Sequence, residues 1–587
     1  MTTFDDTVHA YLEHLYGPRA AEVQRRLNQR LAHFRAAAGP QAFTEQQGQP
    51  APSWSEKDQW LITYGDSIVD DETPPLAVLD DFLQARLGER ISGVHVLPFF
   101  PWSSDDGFSV IHYREVNPDL GDWQHIQTLA RHYDLMADLV LNHVSRESLW
   151  FVDYLSGSLP GRDYFIEVDP DTDVSAVVRP RSSPLLVPIS TRRGTRYLWA
   201  TFSEDQLDLN FENPDVLLEF VGILLFYLEQ GTRIVRLDAV AFLWKRLGTN
   251  CIHLPETHTV VRLLRAIVDH VAPGTLLITE TNVPHHENIS YFGLDRLAEG
   301  PPDEAHMIYQ FTLPPLLLHT LTRGETHTLQ AWLASLPPLP DQCTYLNFTA
   351  SHDGIGVRPL EGLLPDHERD ALLELMHRFG GFVSMRSNPD GSDTPYEINI
   401  TWFEAMQGTR KGPDPWQIAR FLCSQAIMLS LQGIPALYIH TLTGTLNDVE
   451  GVERSGRLRS INRRRWQRRE LDLLLDSTAT PTHDVFNALS RLLGYRRQEP
   501  CFHPNAAQRV LASDPSLLAI ERGPLADGRR LLALYNVTEV PLSFDQLGDD
   551  VQHALSSVSW QDLNTPSSGQ PSDPLPPYAV RWLVHSP

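Results

Sequence analysis

The feature that most constrains this chain is a recurring alternation of short apolar runs with helical patterns. Eight such runs occur in order: WLITY from Trp60, GVHVLPFF from Gly93, LMADLVLNH from Leu135, RIVRLDAVAF from Arg233, TLLITE from Thr275, HMIYQF from His306, TYLNFTASHD from Thr344 and IPALYIH from Ile434. Apolar runs of this length bounded by turn residues read as strands, and strands that alternate with helices pair in parallel. Eight is the number that closes a (β/α)8 barrel. The expected fold class is therefore α/β, a TIM-type barrel.

Three flanking segments do not fit that repeat. Residues 1 to about 50 carry Tyr11, Leu12, Leu15, Val23, Leu27, Leu31 and Phe34 at helical spacing and close on the breaker-rich QQGQPAPS, which predicts an N-terminal helical extension over 1–57. About 90 residues separate LVLNH from RIVRLDAV, much of them loop-like (SGSLPGRD, RPRSSPLL), so an inserted subdomain is expected after the third strand, over 145–215. The barrel then occupies 58–144 and 216–500. Beyond it, SLLAIER and RRLLALYNV flank the turn GPLADG and YAVRWLV follows, predicting a C-terminal antiparallel β domain over 501–587.

Composition enters through charge and cysteine. The 48 Lys plus Arg against 74 Asp plus Glu leave −26, which excludes a general binder of nucleic acid or of anionic membranes. Lysine occurs only at 57, 245 and 411, so nearly every cation is arginine, the side chain whose fork suits phosphate and carboxylate. The acidity reads as a solubility feature that suits a salty cytoplasm. Cys251, Cys343, Cys423 and Cys501 lie far apart with no CxxC pair and are expected to be buried free thiols. The acidic amino terminus has no signal-peptide pattern and no run suits a membrane span, so a cytoplasmic protein is expected.

In a barrel of this type the site forms at the carboxyl ends of the strands. Polar residues close several runs there: Asp138, Asn142 and His143; Arg236 and Asp238; Glu280; His352 and Asp353. One acid at a strand end is often only a helix cap. Acids ending the fourth, fifth and seventh strands converge on one mouth. Without a reactive cysteine or a nucleotide fingerprint, they favour glycosyl transfer, in which one carboxylate attacks the anomeric carbon and a second, protonated carboxyl serves the departing oxygen. A divalent metal held by these acids with His143 and His352 is the rival, but no HExxH or comparable spacing supports it.

The order DLVLNH, RIVRLDAV, ITE and SHD resembles the four short regions of the α-amylase clan, over residues 58 to about 500. That resemblance implies the barrel, the insertion after the third strand and the C-terminal β domain. It makes Asp238 the nucleophile, Glu280 the general acid/base and Asp353 the third carboxylate, gripping sugar hydroxyls. Arg236, two residues before the nucleophile, would keep Asp238 ionised, while Glu280 needs an environment that raises its pKa. His143 and His352 match histidines that bond the glucose.

Further segments (LPFFPWSSDDGFSVIHY, LGTNC, LPPLLLHTL, SHDGIGV, SINR) resemble the sucrose phosphorylase group, which implies phosphate rather than water as the group that resolves the glucosyl-enzyme. In that group Asp105 and Arg463 would close around the glucose, and Phe108 and Phe202 would shield it. Arg179-Pro180-Arg181 resembles a phosphate-binding motif, with Arg181 on phosphate and Arg179 nearby. The implied partners are an α-glucoside, inorganic phosphate and α-glucose 1-phosphate, with no metal or organic cofactor; self-association into a homodimer is carried as an expectation. Asn282, where the group usually has His, and Tyr396-Glu397, where it has Tyr-Gln, put fructose in doubt as the acceptor. The long form with ETNVPH resembles the branch acting on glucosylglycerate or 2-O-α-glucosylglycerol. Because Glu397 would repel a glycerate carboxylate but could accept hydrogen bonds from a neutral polyol, glucosylglycerol is the favoured substrate, with glucosylglycerate, sucrose and sucrose 6'-phosphate as alternatives. A hydrolase or transglucosylase using the same acids, and a catalytically silent carbohydrate-binding protein, are the rival classes.

Overall fold

A computed structural model describes residues 3–38, 54–293, 301–388, 392–564 and 573–587. Each of the eight apolar runs contributes one barrel strand: β1 (Trp60–Thr63), β2 (Gly93–Val96), β3 (Asp134–Val140), β4 (Thr232–Asp238), β5 (Leu276–Thr279), β6 (Met307–Tyr309), β7 (Thr344–Asn347) and β8 (Ile434–Tyr438). Neighbours pair in parallel, in chain order, and β1 pairs with both β2 and β8, which closes the barrel. Six strands, β1, β2 and β5 to β8, are buried at every position, as parallel strands covered by helices must be. At the seam the Trp60 ring lies so close to Gly93 that a Cβ there would sit 2.7 Å from it, so only glycine fits.

The N-terminal extension differs in one respect from a single amphipathic helix. It is two helices, α1 (Phe4–Tyr16) and α2 (Ala20–Ala38), broken at Gly17-Pro18. Gly17 has φ of 54°, a left-handed value, and Pro18 cannot donate the hydrogen bond that would continue the first helix. The predicted closing segment QQGQPAPS lies outside the described residues.

Between β3 and β4 the strand His143–Ser145 pairs antiparallel with Gln206–Asp208. The helix Leu149–Ser156 and the hairpin Leu186–Thr191/Gly194–Trp199 fill the interval. Between β7 and β8 stands a second small sheet that the apolar pattern did not announce. In it Asp393–Asn399 is flanked by Ile355–Gly356 and Phe382–Ser387. The chain ends in a five-stranded antiparallel sheet whose central strands, Leu517–Arg522, Arg530–Asn536 and Val580–His585, are the predicted runs. All four cysteines are buried and free. Among the described residues no helix is long and apolar enough to cross a membrane, and no group of three or more His, Cys, Asp or Glu is placed to hold a metal.

Candidate active site

Strand register builds the centre of the site. β3 and β4 pair so that Asp138 faces Arg236 and Val140 faces Asp238. Residues two apart on a strand share a face, so Arg236 and Asp238 point the same way. Arg236 Nη1 donates to Asp138 Oδ1 at 2.5 Å and to Asp238 Oδ1 at 2.6 Å, while the other Asp138 oxygen lies 2.6 Å from His95 Nε2 on β2. Buried charges of this kind are tolerable only when each is paired. Asp138 is thus wholly engaged by a cation and a histidine. His95 was missed because it looks like one polar residue inside an apolar run.

Glu280 directly follows β5, and its backbone N–H donates to Leu237 O at 3.1 Å, tying it to the strand that ends in Asp238. Its Oε2 accepts the N–H of Ala239 at 3.1 Å; Ala239 holds a left-handed φ of 52° immediately after Asp238. A non-glycine residue in that conformation is strained, and such strain is kept where it aims a functional group. Burial pushes both carboxyls up, Asp238 as well as Glu280, each to about 7, and Arg236 opposes the rise in both. Desolvation thus outweighs the cation at Asp238, which the sequence alone does not show. The geometry still separates the two. Asp238 is in direct contact with Arg236, whereas Glu280 accepts only a backbone N–H, so a proton shared by the pair rests on Glu280. Asp353 behaves oppositely. Burial would raise it, but Arg459, His352, Arg463 and Arg236 together hold it well below the usual carboxylate range. One acid ready to give a proton, one carboxylate against an arginine and one firmly ionised carboxylate, each within the others' field, suit nucleophilic displacement at an acetal carbon.

The predicted glucose contacts gather around these acids. His95, Arg236, Tyr309, His352 and Asp353 line a common cavity. The His352 ring stacks on Phe108 at 4.8 Å, nearly parallel, and meets Tyr64 edge-on at 5.9 Å. Arg236 lies over the rings of both Phe108 and Tyr309, 5.7 Å from each. His143 Nε2 contacts Phe108 O at 2.8 Å, and its ring is 5.1 Å from Phe202. Burial lowers the pKa of His143 and of His352, so both are neutral hydrogen-bonding groups. Arg463 pairs with Asp106 and donates through Nε to His352 O at 2.9 Å. Asp105 instead accepts the Gln206 amide at 3.3 Å. Both aspartates have positive φ, and this tight kink turns adjacent carboxyls to different partners. Tyr64, Asp106 and Arg463 also line a cleft of about 1120 Å³.

The acceptor side is built from loops. Asn282 packs against Gly356, where a Cβ would come within 2.6 Å of its Nδ2. Arg181 lies over the Tyr396 ring, 5.4 Å from its centroid, which brings the inserted loop to the small sheet between β7 and β8. Arg179 buries its Nε and Nη2 without a partner among the described residues, and burial lowers its pKa. Glu397 overturns an expectation. It is buried, and both its oxygens accept from Arg459, through Nε and Nη2, at 2.9 Å each. Burial opposes ionisation, but Arg459 lowers its pKa below the usual value. The same guanidinium reaches Asp353 through Nη1 at 2.6 Å. A carboxylate held by a fork in this way presents less net charge to a ligand, which weakens the repulsion expected to exclude glycerate. Arg459 itself was missed; its only signal is its place four residues before Arg463 in RLRSINR.

The model of the α-amylase catalytic domain matches residues 83–353. Glucosylglycerate phosphorylase of Escherichia coli is 45% identical over 533 residues, 90% of this chain and 92% of that one. The chain belongs to the sucrose phosphorylase group of the α-amylase clan. Within that group it is more distant from the glucosylglycerol phosphorylase of Marinobacter adhaerens, 30% identical over 75% of this chain and 87% of that one. The structure of sucrose 6F-phosphate phosphorylase from Thermoanaerobacter thermosaccharolyticum superposes with a TM-score of 0.71 at 25% identity, covering 83% of this chain and 96% of that one. Membership of the group makes the chain a glycosyl-transferring enzyme that works by double displacement.

Proposed function

We propose that the protein is a retaining phosphorylase of glucosylglycerate, converting it with inorganic phosphate to α-glucose 1-phosphate and glycerate. The observation that carries the choice of acceptor is the Arg459 fork on Glu397, which weakens the one physical argument for a neutral polyol. The greater likeness to a glucosylglycerate phosphorylase than to a glucosylglycerol phosphorylase supports the same reading.

In the first step Asp238 attacks C1 as the bond from C1 to the glycerate oxygen breaks, and Glu280 gives its proton to that oxygen. In the second step a phosphate oxygen attacks C1 from the face the glycerate left. The bond to Asp238 breaks, and Glu280, now a carboxylate, takes up the phosphate proton. Two inversions give net retention and the α product. Asp353, kept ionised by Arg459, binds hydroxyls of the glucosyl unit, and Phe108, Phe202, His143 and His352 enclose it. Arg181, with Arg179 behind it, supplies the positive charge that lets a dilute dianion compete with water.

The test is to incubate the enzyme with glucosylglycerate with and without phosphate and to follow glucose 1-phosphate, its anomer and free glucose. Phosphate-dependent formation of the α anomer is the expected result. Release of free glucose at an undiminished rate without phosphate would make the protein a hydrolase.

A further inference from the structure

The helices α1 and α2 lie outside the barrel, yet an unbroken run of contacts joins them to the rim of the acceptor side. Tyr11 on α1 donates to Asp303 Oδ2 at 3.2 Å, and Asp303 Oδ1 accepts from Arg262 Nε at 3.1 Å. Arg262 Nη2 lies 2.8 Å from Glu304 Oε1, whose other oxygen is 2.8 Å from His258 Nδ1. The His258 ring stacks on Tyr291 at 4.6 Å, and the Tyr291 hydroxyl is 2.8 Å from His253 Nδ1. His253 Nε2 is 3.1 Å from Glu287, which Arg358 approaches at 3.5 Å. Arg358 follows the short strand Ile355–Gly356, which pairs with Ile398 and Glu397.

Three features make this run more than adjacency. Helix Pro255–Val271 turns His258, Arg262 and Arg265 to one side, at spacings of four and three residues, and Arg265 adds a 2.9 Å bond to Glu304 O. Glu304 and Tyr291 are fully buried, so the Glu304 charge is tolerable only beside Arg262 and His258, with Arg265 holding its backbone oxygen. His253, in the loop that follows the Asp238 strand, has φ of 54° and is held there between Tyr291 and Glu287. The run therefore ties the loops after β4, β5 and β7, which between them carry Asn282 and the Tyr396-Glu397 sheet.

We infer that the N-terminal helices are a positioning element for the acceptor: through Asp303, Arg262, Glu304 and His258 they fix the turn at 285–293, and through Glu287 and Arg358 that turn fixes the acceptor sheet. None of these residues touches the reacting atoms. The inference concerns the acceptor side of the reaction proposed above and rests on that reading for its kinetic readout.

The test uses Arg262→Gln, Arg358→Gln and the double variant in the full chain, with Tyr11→Phe as the mildest lesion. Each Gln variant is expected to raise the KM for glycerate in synthesis about threefold to tenfold while the glucosyl transfer rate from glucose 1-phosphate is kept, and the double variant to exceed the larger single effect by less than about twofold. Amide exchange at 285–293 is expected to quicken in Tyr11→Phe and Arg262→Gln. Folded variants whose KM effects multiply, or an Arg262→Gln enzyme with unchanged KM and unchanged exchange, would overturn the inference. If wild type does not use glycerate, the substrate reading fails, and the exchange comparison still decides the positioning role.

Discussion

The glucosyl half of the site and its acceptor half are built by different means. The glucosyl half hangs on barrel strands: Asp138, Arg236 and Asp238 are placed by the register of β3 against β4, and Glu280 by the end of β5. The acceptor half is assembled from an inserted loop, a turn and a small sheet, joined by Arg181 on Tyr396 and Arg459 on Glu397. The first arrangement allows one chemistry whatever the acceptor. The second can change its acceptor by re-pairing a few charges without touching the barrel, which is the division of labour that strand-borne and loop-borne residues usually show.

The largest expected effect probes the half that should be indifferent to the acceptor. Asp238→Asn should lower kcat by about 10⁴-fold or more, equally with every acceptor, since no covalent intermediate can form. Phosphate release measured across several acceptors checks this, and an acceptor-dependent residue of activity would break the division. Glu280→Gln should cost about 10²- to 10⁴-fold. In wild type the first step needs the Glu280 proton, whose pKa burial raises to about 7, so kcat/KM for phosphorolysis falls as pH rises through that value. In Glu280→Gln this alkaline limb should disappear from the pH profile, leaving any limb due to phosphate or Asp238.

How much of this was legible in the sequence follows the same line. Asp238, Glu280, Asp353 and the eight strands stand at positions that a local apolar run dictates, and each could be read from its own segment. Asp138 was visible as a strand-end acid, but its neutralisation depends on His95 and Arg236 arriving from two other strands. That Arg463 pairs with Asp106 while Asp105 faces Gln206 depends on two consecutive residues with positive φ turning their carboxyls apart, and no apolar period encodes that. Glu397 was misread for a related reason: Arg459, which offsets its charge, lies 62 residues away. The break between α1 and α2, by contrast, is written locally in Gly17-Pro18, although the apolar spacing runs on across it.

Arg459 is where the two halves meet, because it holds Asp353 with one nitrogen and Glu397 with two. Arg459→Met should leave Glu397 unpaired in a buried setting and weaken the hold on Asp353, destabilising the fold by about 3 to 5 kcal/mol, visible as a lowered Tm. The Tm deficit should shrink as pH falls. The paired acids have folded-state pKa values below their unfolded ones, so their contribution to wild-type stability is present above the unfolded pKa and is lost as pH falls through the folded one. The smallest effect sharpens the acceptor half alone. Glu397→Gln, by removing one negative charge, should lower the KM for glycerate by about fivefold or less and leave that for glycerol unchanged, a difference of about 1 kcal/mol. An equal change for both acceptors would remove Glu397 from the selection of charge.

The central claim, a phosphorylase whose acceptor is an anion, is tested most directly in the direction of synthesis. The enzyme is supplied with α-glucose 1-phosphate and, in parallel, glycerate, glycerol, fructose or fructose 6-phosphate, and phosphate release is followed. Release fastest with glycerate, at a rate that saturates with the acceptor, is the predicted result. A preference for glycerol, or release that yields free glucose whichever acceptor is present, would contradict it.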